Sequence, residues 1–391
     1  MTGGAGRVAI SGYRRPDGRL GVRNYTLVLG INGLASRVAE RISRQISGAI
    51  CAATTSGRGQ VEPDLSSHHD QLVGLGANPN VGAVLVVGVD RGAAEQVAGR
   101  IAATGKPVDM VTFAEAEEDV LAVLELGIRR AAMLVMRAAQ PASEPGSLAD
   151  LVVGVECGHS DSSSGISANP VVGAAVDRLV DHGATVILGE TIEWLGAEHL
   201  LARRARTPGV ARDILAAVER REQRALAAGK SLTGNNPGEE NIQGGLSTIE
   251  EKSLGAVIKS GTRSIESLLG LAQRPGGPGL HLMDGPSFSP ESLTGFAAAG
   301  AQAMLFTTGP GNSFVSAVAP TLKITGRPGT AARLAHQIDF DASAAFLGTR
   351  SVAETADALV ETLIAVCNGK PTWGEILGEG LEVPTRLLGS L

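Results

Sequence analysis

The residues best equipped for chemistry lie between Val155 and Pro170, in the run Val-Glu-Cys-Gly-His-Ser-Asp-Ser-Ser-Ser-Gly-Ile-Ser-Ala-Asn-Pro. Cys157 offers a thiol, His159 an imidazole, Asp161 a carboxylate, and Ser160 and its neighbours hydroxyls. The apolar run 151–155 before them predicts a buried strand, and 171–179 after them predicts an amphipathic helix. Polar groups at the carboxyl end of a strand, just before a helix N-terminus, suit an anion, because free N–H groups and the helix dipole favour negative charge there. His159 is a candidate base and equally an ordinary surface or core histidine. Cys157 is a candidate ligand or a small buried hydrophobe. Ser160, Asp161 and Asn169 are candidates for orienting a substrate.

The elements that must position this stretch alternate. Strands are predicted at 25–31, 49–55, 83–89 and 108–113, with helices at 34–46 and 115–139. After a Pro/Ser/Gly cluster at 141–147, further strands are predicted at 184–188, 279–283, 302–307 and 320–325. Helices are predicted at 197–206, 212–228 and 352–366. Alternation of this kind predicts an α/β fold with parallel or mixed sheets, helices on both faces, and two to three subdomains. The expected division is an N-terminal α/β domain over 1–140 with an Arg/Gly-rich entry segment, a linker over 141–150, and a C-terminal catalytic α/β domain over 151–391.

Composition narrows the function classes. The 391 residues allow more than one core; aromatic content is 3 %, and 52 glycines imply many tight loops. A net charge of −6 argues against nucleic acid as a main partner. Three cysteines without a CxxC pair argue for a reduced, cytoplasmic protein without structural zinc. Residues 1–6 carry no signal-peptide pattern, and no apolar run reaches the ~18 residues of a membrane helix. No G-x-G-x-x-G follows a first strand, which disfavours a nicotinamide dehydrogenase.

The pattern Cys-Gly-x-Ser-Asp-x-x-Ser-Gly-x-x-Ala-Asn-Pro resembles the central motif of the altronate/galactarate dehydratase (UxaA/GarD-type) family, which includes the large subunit of sulfolactate sulfo-lyase. The resemblance recurs at Gly12–Asn24, at Ala77–Val81, at Gly189-Glu190-Thr191 with Gly196–His199, at Thr248–Gly255 and at Phe306–Gly309, so it covers nearly the whole chain in order. It implies a lyase that abstracts the proton alpha to a carboxylate, expels a leaving group from the beta carbon and yields a 2-oxo acid. It implies substrate-binding roles for Arg15, Arg19, Arg23, Arg58, Asn78, Asn80, Asn169, Thr307 and Thr308. It implies a divalent metal, Fe²⁺ before Mn²⁺, on Glu190, Glu198 and His199. Without it, the acids from Glu190 to Glu198 read as a solvated helix start. The resemblance also implies a separate small SAF-like subunit and an oligomer.

Departures from the family pattern bear on the substrate. Thr54 and Arg58 stand where the dehydratases carry His and Cys, Arg91 and Gly92 where they carry Cys and Glu, and Pro310 where relatives often carry Arg. Guanidinium groups suit a second anionic group on the substrate, or else are surface residues. Lys252 and Lys259 fall beyond the Asn/Gly-rich loop 234–245; one of them could face the site, although exposed lysine is the common case, and Lys323 falls in a strand where it could meet an anion. The expected function is dehydration of a hydroxylated, sugar-acid-like carboxylate. The alternatives are release of sulfite from (2R)-sulfolactate, and a non-catalytic anion-binding subunit.

Overall fold

The computed structural model describes residues 9–232 and 236–388, so the reading of 1–6 and of Gly234 and Asn235 in the polar loop lies outside the described residues. The first half contains β1 (Ala9–Arg14), β2 (Leu20–Gly21), β3 (Tyr25–Gly30), α1 (Gly33–Arg44), β4 (Ala49–Ala53), α2 (Asp64–Ala77), β5 (Val81–Gly88), α3 (Arg91–Ala102), β6 (Val108–Thr112) and α4 (Val120–Ala138). Strands β3 to β6 form a parallel sheet in the order β4-β3-β5-β6. All eight residues of β5 are buried, which is why it reads as an unbroken apolar run rather than an alternating one. The long helix expected at 115–139 starts later, at Val120, where Asp119 caps the free N–H groups of Leu121 and Ala122.

The expected linker is partly structured. Its residues Glu144–Ser147 form β7, antiparallel to β1, and β2 joins them in a small separate sheet. The pairing stitches the entry segment to the start of the second half.

The second half contains β8 (Val152–Cys157), α5 (Asn169–Asp181), β9 (Thr185–Leu188), α6 (Glu198–Ala202), α7 (Pro208–Ala227), α8 (Glu239–Gln243), α9 (Ile249–Val257), β10 (Ile265–Leu269), β11 (Gly279–Met283), α10 (Ser289–Ala298), β12 (Ala303–Thr307), β13 (Thr321–Thr325), α11 (Pro328–Arg333), β14 (Phe340–Asp341), α12 (Ser343–Phe346), α13 (Val352–Cys367) and α14 (Trp373–Leu377). Its seven strands are all parallel, in the order β10-β11-β9-β8-β12-β13-β14. β8 enters at the centre, with β9 on one side and β12 on the other. Such a centre leaves a crevice beyond the carboxyl ends of the strands, the usual ligand position in open α/β sheets.

One core face is shared by the two large sheets. Leu72 and Leu75 of α2 and Val84 of β5 pack in the same cluster as Phe296 of α10 and Ile187 of β9. The tail then returns to the first half: the Asp64 carboxylate accepts the N–H groups of Leu387 and Leu388, and Gln71 exchanges hydrogen bonds with the Thr385 backbone. Among the described residues, no helix is long and apolar enough to cross a membrane.

Candidate functional site

Strand β8 carries its apolar residues into the core and ends on Glu156 and Cys157, which are almost wholly buried. Beyond β9 the chain turns through Glu190 into a single 3₁₀ turn, Thr191–Trp194, which brings Glu190 and Glu193 over the same strand ends. The third contribution comes from the turn Ile258–Ser260 after α9. It packs closely on α5 because position 173 is glycine: any side chain there would strike the Ile258 carbonyl. That contact carries Lys259 into the interior at 2 % exposure.

These groups form one connected cluster. Cys157 Sγ donates to Glu193 Oε2 at 2.7 Å and accepts from Lys259 Nζ at 2.7 Å. Lys259 Nζ also lies 3.6 Å from Glu193 Oε2, and Lys252 Nζ lies 3.2 Å from Glu193 Oε1. Ser292, on α10, donates to Glu156 Oε2 at 2.5 Å, and the Cys157 N–H donates to Glu156 Oε1 at 3.0 Å. Glu190 Oε2 lies 3.9 Å from Cys157 Sγ, and its Oε1 is buried without a partner.

Burial and neighbours split the acids into two kinds. Burial pushes Glu193 up, but Lys252 and Lys259 outweigh it and hold its carboxyl below the usual range. Burial pushes Glu156 up to about 7 despite Lys259 and Ser292. Glu190 is pushed well up by burial and by the neighbouring Glu156. The Cys157 thiol is likewise raised by burial and by Glu193, while Lys259 stays charged because thiol and carboxylates outweigh its own desolvation. Glu193, between two ammonium groups, is thus the acid of the site whose ionised form is favoured, while burial favours the protonated forms of Glu190 and Cys157.

Donor atoms of Glu156, Cys157 and Glu190 all lie within 4.8 Å of one another, so these residues fit a divalent cation. The orphaned Glu190 oxygen is the observation that favours one, since an unpaired buried carboxylate oxygen is costly.

Next to the cluster is a cavity of about 220 Å³ lined by Ser160, Asp161, Ser162, Ser164, Asn169 and Lys252, among others. A single π-helical turn, Ser164–Ala168, forms one wall and runs into α5; such turns recur at functional sites because they re-aim side chains. Asp161 fixes the turn by accepting from Ser163 Oγ at 2.6 Å and from the Ser164 N–H at 3.2 Å. Lys252 lines the cavity and also pairs with Glu193, so it joins cavity and cluster.

The structure brings together some expected site residues and separates others. Cys157 and Glu190 meet in the cluster. Ser160, Asp161 and Asn169 line the cavity, and Thr307 Oγ1 donates to Asn169 Oδ1 at 2.8 Å. His159 is exposed, and its carbonyl accepts from the Gly309 N–H and from Thr308 Oγ1. Glu198 caps its own turn by accepting from the Gly196 N–H at 2.6 Å, and His199 is exposed; neither belongs to the metal-competent group.

The entry-segment arginines bind protein. Arg15 donates to the carbonyls of Pro79 and Arg23 and to Asn24 Oδ1, Arg19 pairs with Asp17, and Arg23 forks onto Glu375 at 2.7 and 3.0 Å. Asn78 and Asn80 donate to carbonyls of Ala297, Ala301, Gln302 and Val318, tying the two halves together. Arg58 lines a separate surface groove with Asn32, Ser56 and Arg386, and Arg91 pairs with Glu95 on the exposed face of α3. The anion that Lys323 meets is the carboxylate of Glu379.

Two participants, Glu156 and Ser292, escaped the sequence reading, and Lys259 was one of two lysines of which one was open to facing the site. The available signal for Glu156 was a carboxylate inside an otherwise apolar strand, since acids are almost never buried without a partner. For Lys259 it was an amine directly after the apolar Val257-Ile258 pair. Nothing local distinguishes Ser292.

Comparison with known proteins supplies the family. Residues 148–388 match the model described as D-galactarate/altronate dehydratase, C-terminal, and residues 12–139 match D-galactarate dehydratase/altronate hydrolase, second domain. The (2R)-sulfolactate sulfo-lyase subunit beta of Chromohalobacter salexigens is 38 % identical over 97 % of this chain and 97 % of its own length. Altronate dehydratase of Escherichia coli is 31 % identical over 93 % of this chain and 74 % of its own. Galactarate dehydratase (L-threo-forming) of Escherichia coli is 30 % identical over 92 % and 73 %. The match spans both large sheets and the strand ends that carry Cys157 and Glu190, and the chain belongs to the D-galactarate/altronate dehydratase family.

Proposed function

We propose that the chain is the catalytic subunit of a lyase that eliminates a beta substituent from a small hydroxylated carboxylate to give a 2-oxo acid. The observation that carries this reading is the buried Glu193–Cys157–Lys259 array beside a cavity lined by serine hydroxyls and Lys252 on one part and by Ile166, Leu246, Leu254 and Ile258 on another. Alpha-proton abstraction needs a base close to a cation that stabilises the enediolate. Glu193 is ionised and borders Lys252, the residue that opens onto the cavity. The substrate carboxylate sits against Lys252, and its hydroxyls meet the serine hydroxyls that line the cavity. The alpha proton passes to Glu193. The electron pair passes into the enediolate, which the lysine ammonium groups stabilise, and then returns to expel the beta substituent. His159, exposed two residues beyond the same strand, is our candidate to protonate the leaving group, and the enol ketonises to the 2-oxo acid.

A divalent ion on Glu156, Cys157 and Glu190 supplies further charge stabilisation when bound. A thiolate among carboxylates favours Fe²⁺ over Mn²⁺. Incubation of the purified chain, with and without a small companion chain, with altronate, galactarate and sulfolactate, with 2-oxo acid as the readout, tests the reading; no product from any hydroxy acid under either condition rejects it.

A second reading has support of its own. The sulfo-lyase subunit matches this chain over 97 % of both lengths, whereas the two dehydratases extend beyond it. Sulfite release from sulfolactate is therefore measured in the same assay. That relative is named as a subunit, so the assay is run with and without a small companion chain.

A further inference from the structure

Among the described residues, Glu190 is one of four non-glycine residues with positive φ, at φ 57° and ψ 67°, and it is 2 % exposed. The left-handed region strains any residue with a Cβ, and such strain persists only where the surroundings over-determine it. Two devices flank the residue. On one side Trp194 Nε1 donates to the Gly189 carbonyl at 3.2 Å. On the other, Thr191 Oγ1 donates to Asp284 Oδ1 at 2.9 Å and accepts from the Gly285 N–H at 3.1 Å. Asp284 lies just past β11 and is itself held from α7: Arg221 Nε and Nη2 donate to Oδ1 at 3.1 and 3.0 Å, and Arg220 Nη2 donates to Oδ2 at 3.1 Å.

The chain of contacts from α7 therefore ends on the residue next to the strained one. The strain has a visible result. Glu190 presents its carboxylate beside Glu156 and Cys157, with Oε2 3.9 Å from Cys157 Sγ and Oε1 buried without a partner. A relaxed backbone at this position would swing the side chain away from the strand ends.

We propose that Arg221 and Asp284, acting through the Thr191 hydroxyl, are positioning residues that hold Glu190 in its left-handed conformation and keep its carboxylate beside Glu156 and Cys157. The role in turnover rests on the lyase reading; the mechanical claim does not. Neither residue touches the cavity, so both act at one remove from the substrate.

The experiment is a thermal cycle on the full chain. Glu190→Gly and Glu190→Ala are each prepared with Thr191 intact and with Thr191→Val. With Thr191 intact, the glycine variant melts about 1–3 °C above the alanine variant, because glycine alone escapes the left-handed penalty. With Thr191→Val the gap falls to less than half, since residue 190 is free to relax. An unchanged gap overturns the proposal. Should Thr191→Val fail to fold, Arg221→Gln replaces it in the same cycle with the same two outcomes. In parallel, Thr191→Val alone lowers kcat about tenfold or more with KM nearly unchanged, and Thr191→Ser restores it. Equal loss in the Ser and Val variants contradicts the hydroxyl's role. If the wild-type chain turns over no hydroxy acid with or without the companion chain, the lyase reading fails while the thermal cycle still decides the mechanical claim.

Discussion

Cys157 Sγ and Lys259 Nζ lie 2.7 Å apart although 102 residues separate them in the chain, and both are almost wholly buried. The ammonium group is held by the thiol and by Glu193, which in turn is flanked by Lys252. Removing one member of such a group leaves its partners charged and unpaired in the interior.

Lys259→Met is accordingly expected to destabilise the chain by about 3–5 kcal/mol and to abolish turnover. Denaturant unfolding and an activity assay check both. Lys252→Met, at a partly open position, is expected to lose activity with a smaller stability loss.

Asn80 tests whether the entry-segment contacts are scaffold. Its side chain bonds Gln302 and Val318 carbonyls and the Val22 N–H, all across buried surfaces. Asn80→Ala should cost about 2–4 kcal/mol of stability and leave KM unchanged. A raised KM with normal stability would return Asn80 to the substrate site.

Gly309 packs against the Asp161 carboxylate so closely that any Cβ would overlap it. Gly309→Ala should displace Asp161, loosen the π-helical turn and raise KM, with kcat less affected. Steady-state kinetics decide this.

The fold was legible wherever hydrophobic runs were long. The expectations for β5, β11, β12 and α13 agree closely with the observed bounds because buried parallel strands and amphipathic helices write strong patterns. β10 and β7 were missed: β10 carries Glu266 and Ser267, and β7 is a polar four-residue strand. The site was half legible. Cys157 and Glu190 stood out in motifs, but Lys259 and Ser292 reach the cluster only through the packing of Ile258–Ser260 on α5 and of α10 under β8. No local spacing encodes those contacts.

Glu382 gives a pH prediction remote from the site. Burial pushes its carboxyl up to about 7, although Ser316 Oγ and the Val318 N–H donate to Oε1. The folded state therefore holds this proton more tightly than the unfolded state does. The stabilising contribution is complete below the ordinary carboxyl range and is lost as pH rises through about 7. Glu156 is shifted in the same direction. Glu382→Gln cannot ionise, so its stability should fall less than that of the wild type between about pH 5 and about pH 8, by up to about 3 kcal/mol. Unfolding curves at several pH values measure the difference.

The most direct measurement is 2-oxo acid formation from hydroxy acids, with sulfite followed for sulfolactate, by the wild-type chain and by Glu193→Gln, which keeps the shape of the array and removes its base. Product from the wild type, and a loss of about a hundredfold or more in a Glu193→Gln variant of normal melting temperature, is the expected result. Equal turnover by both proteins would contradict the assignment of the buried array as the site of elimination.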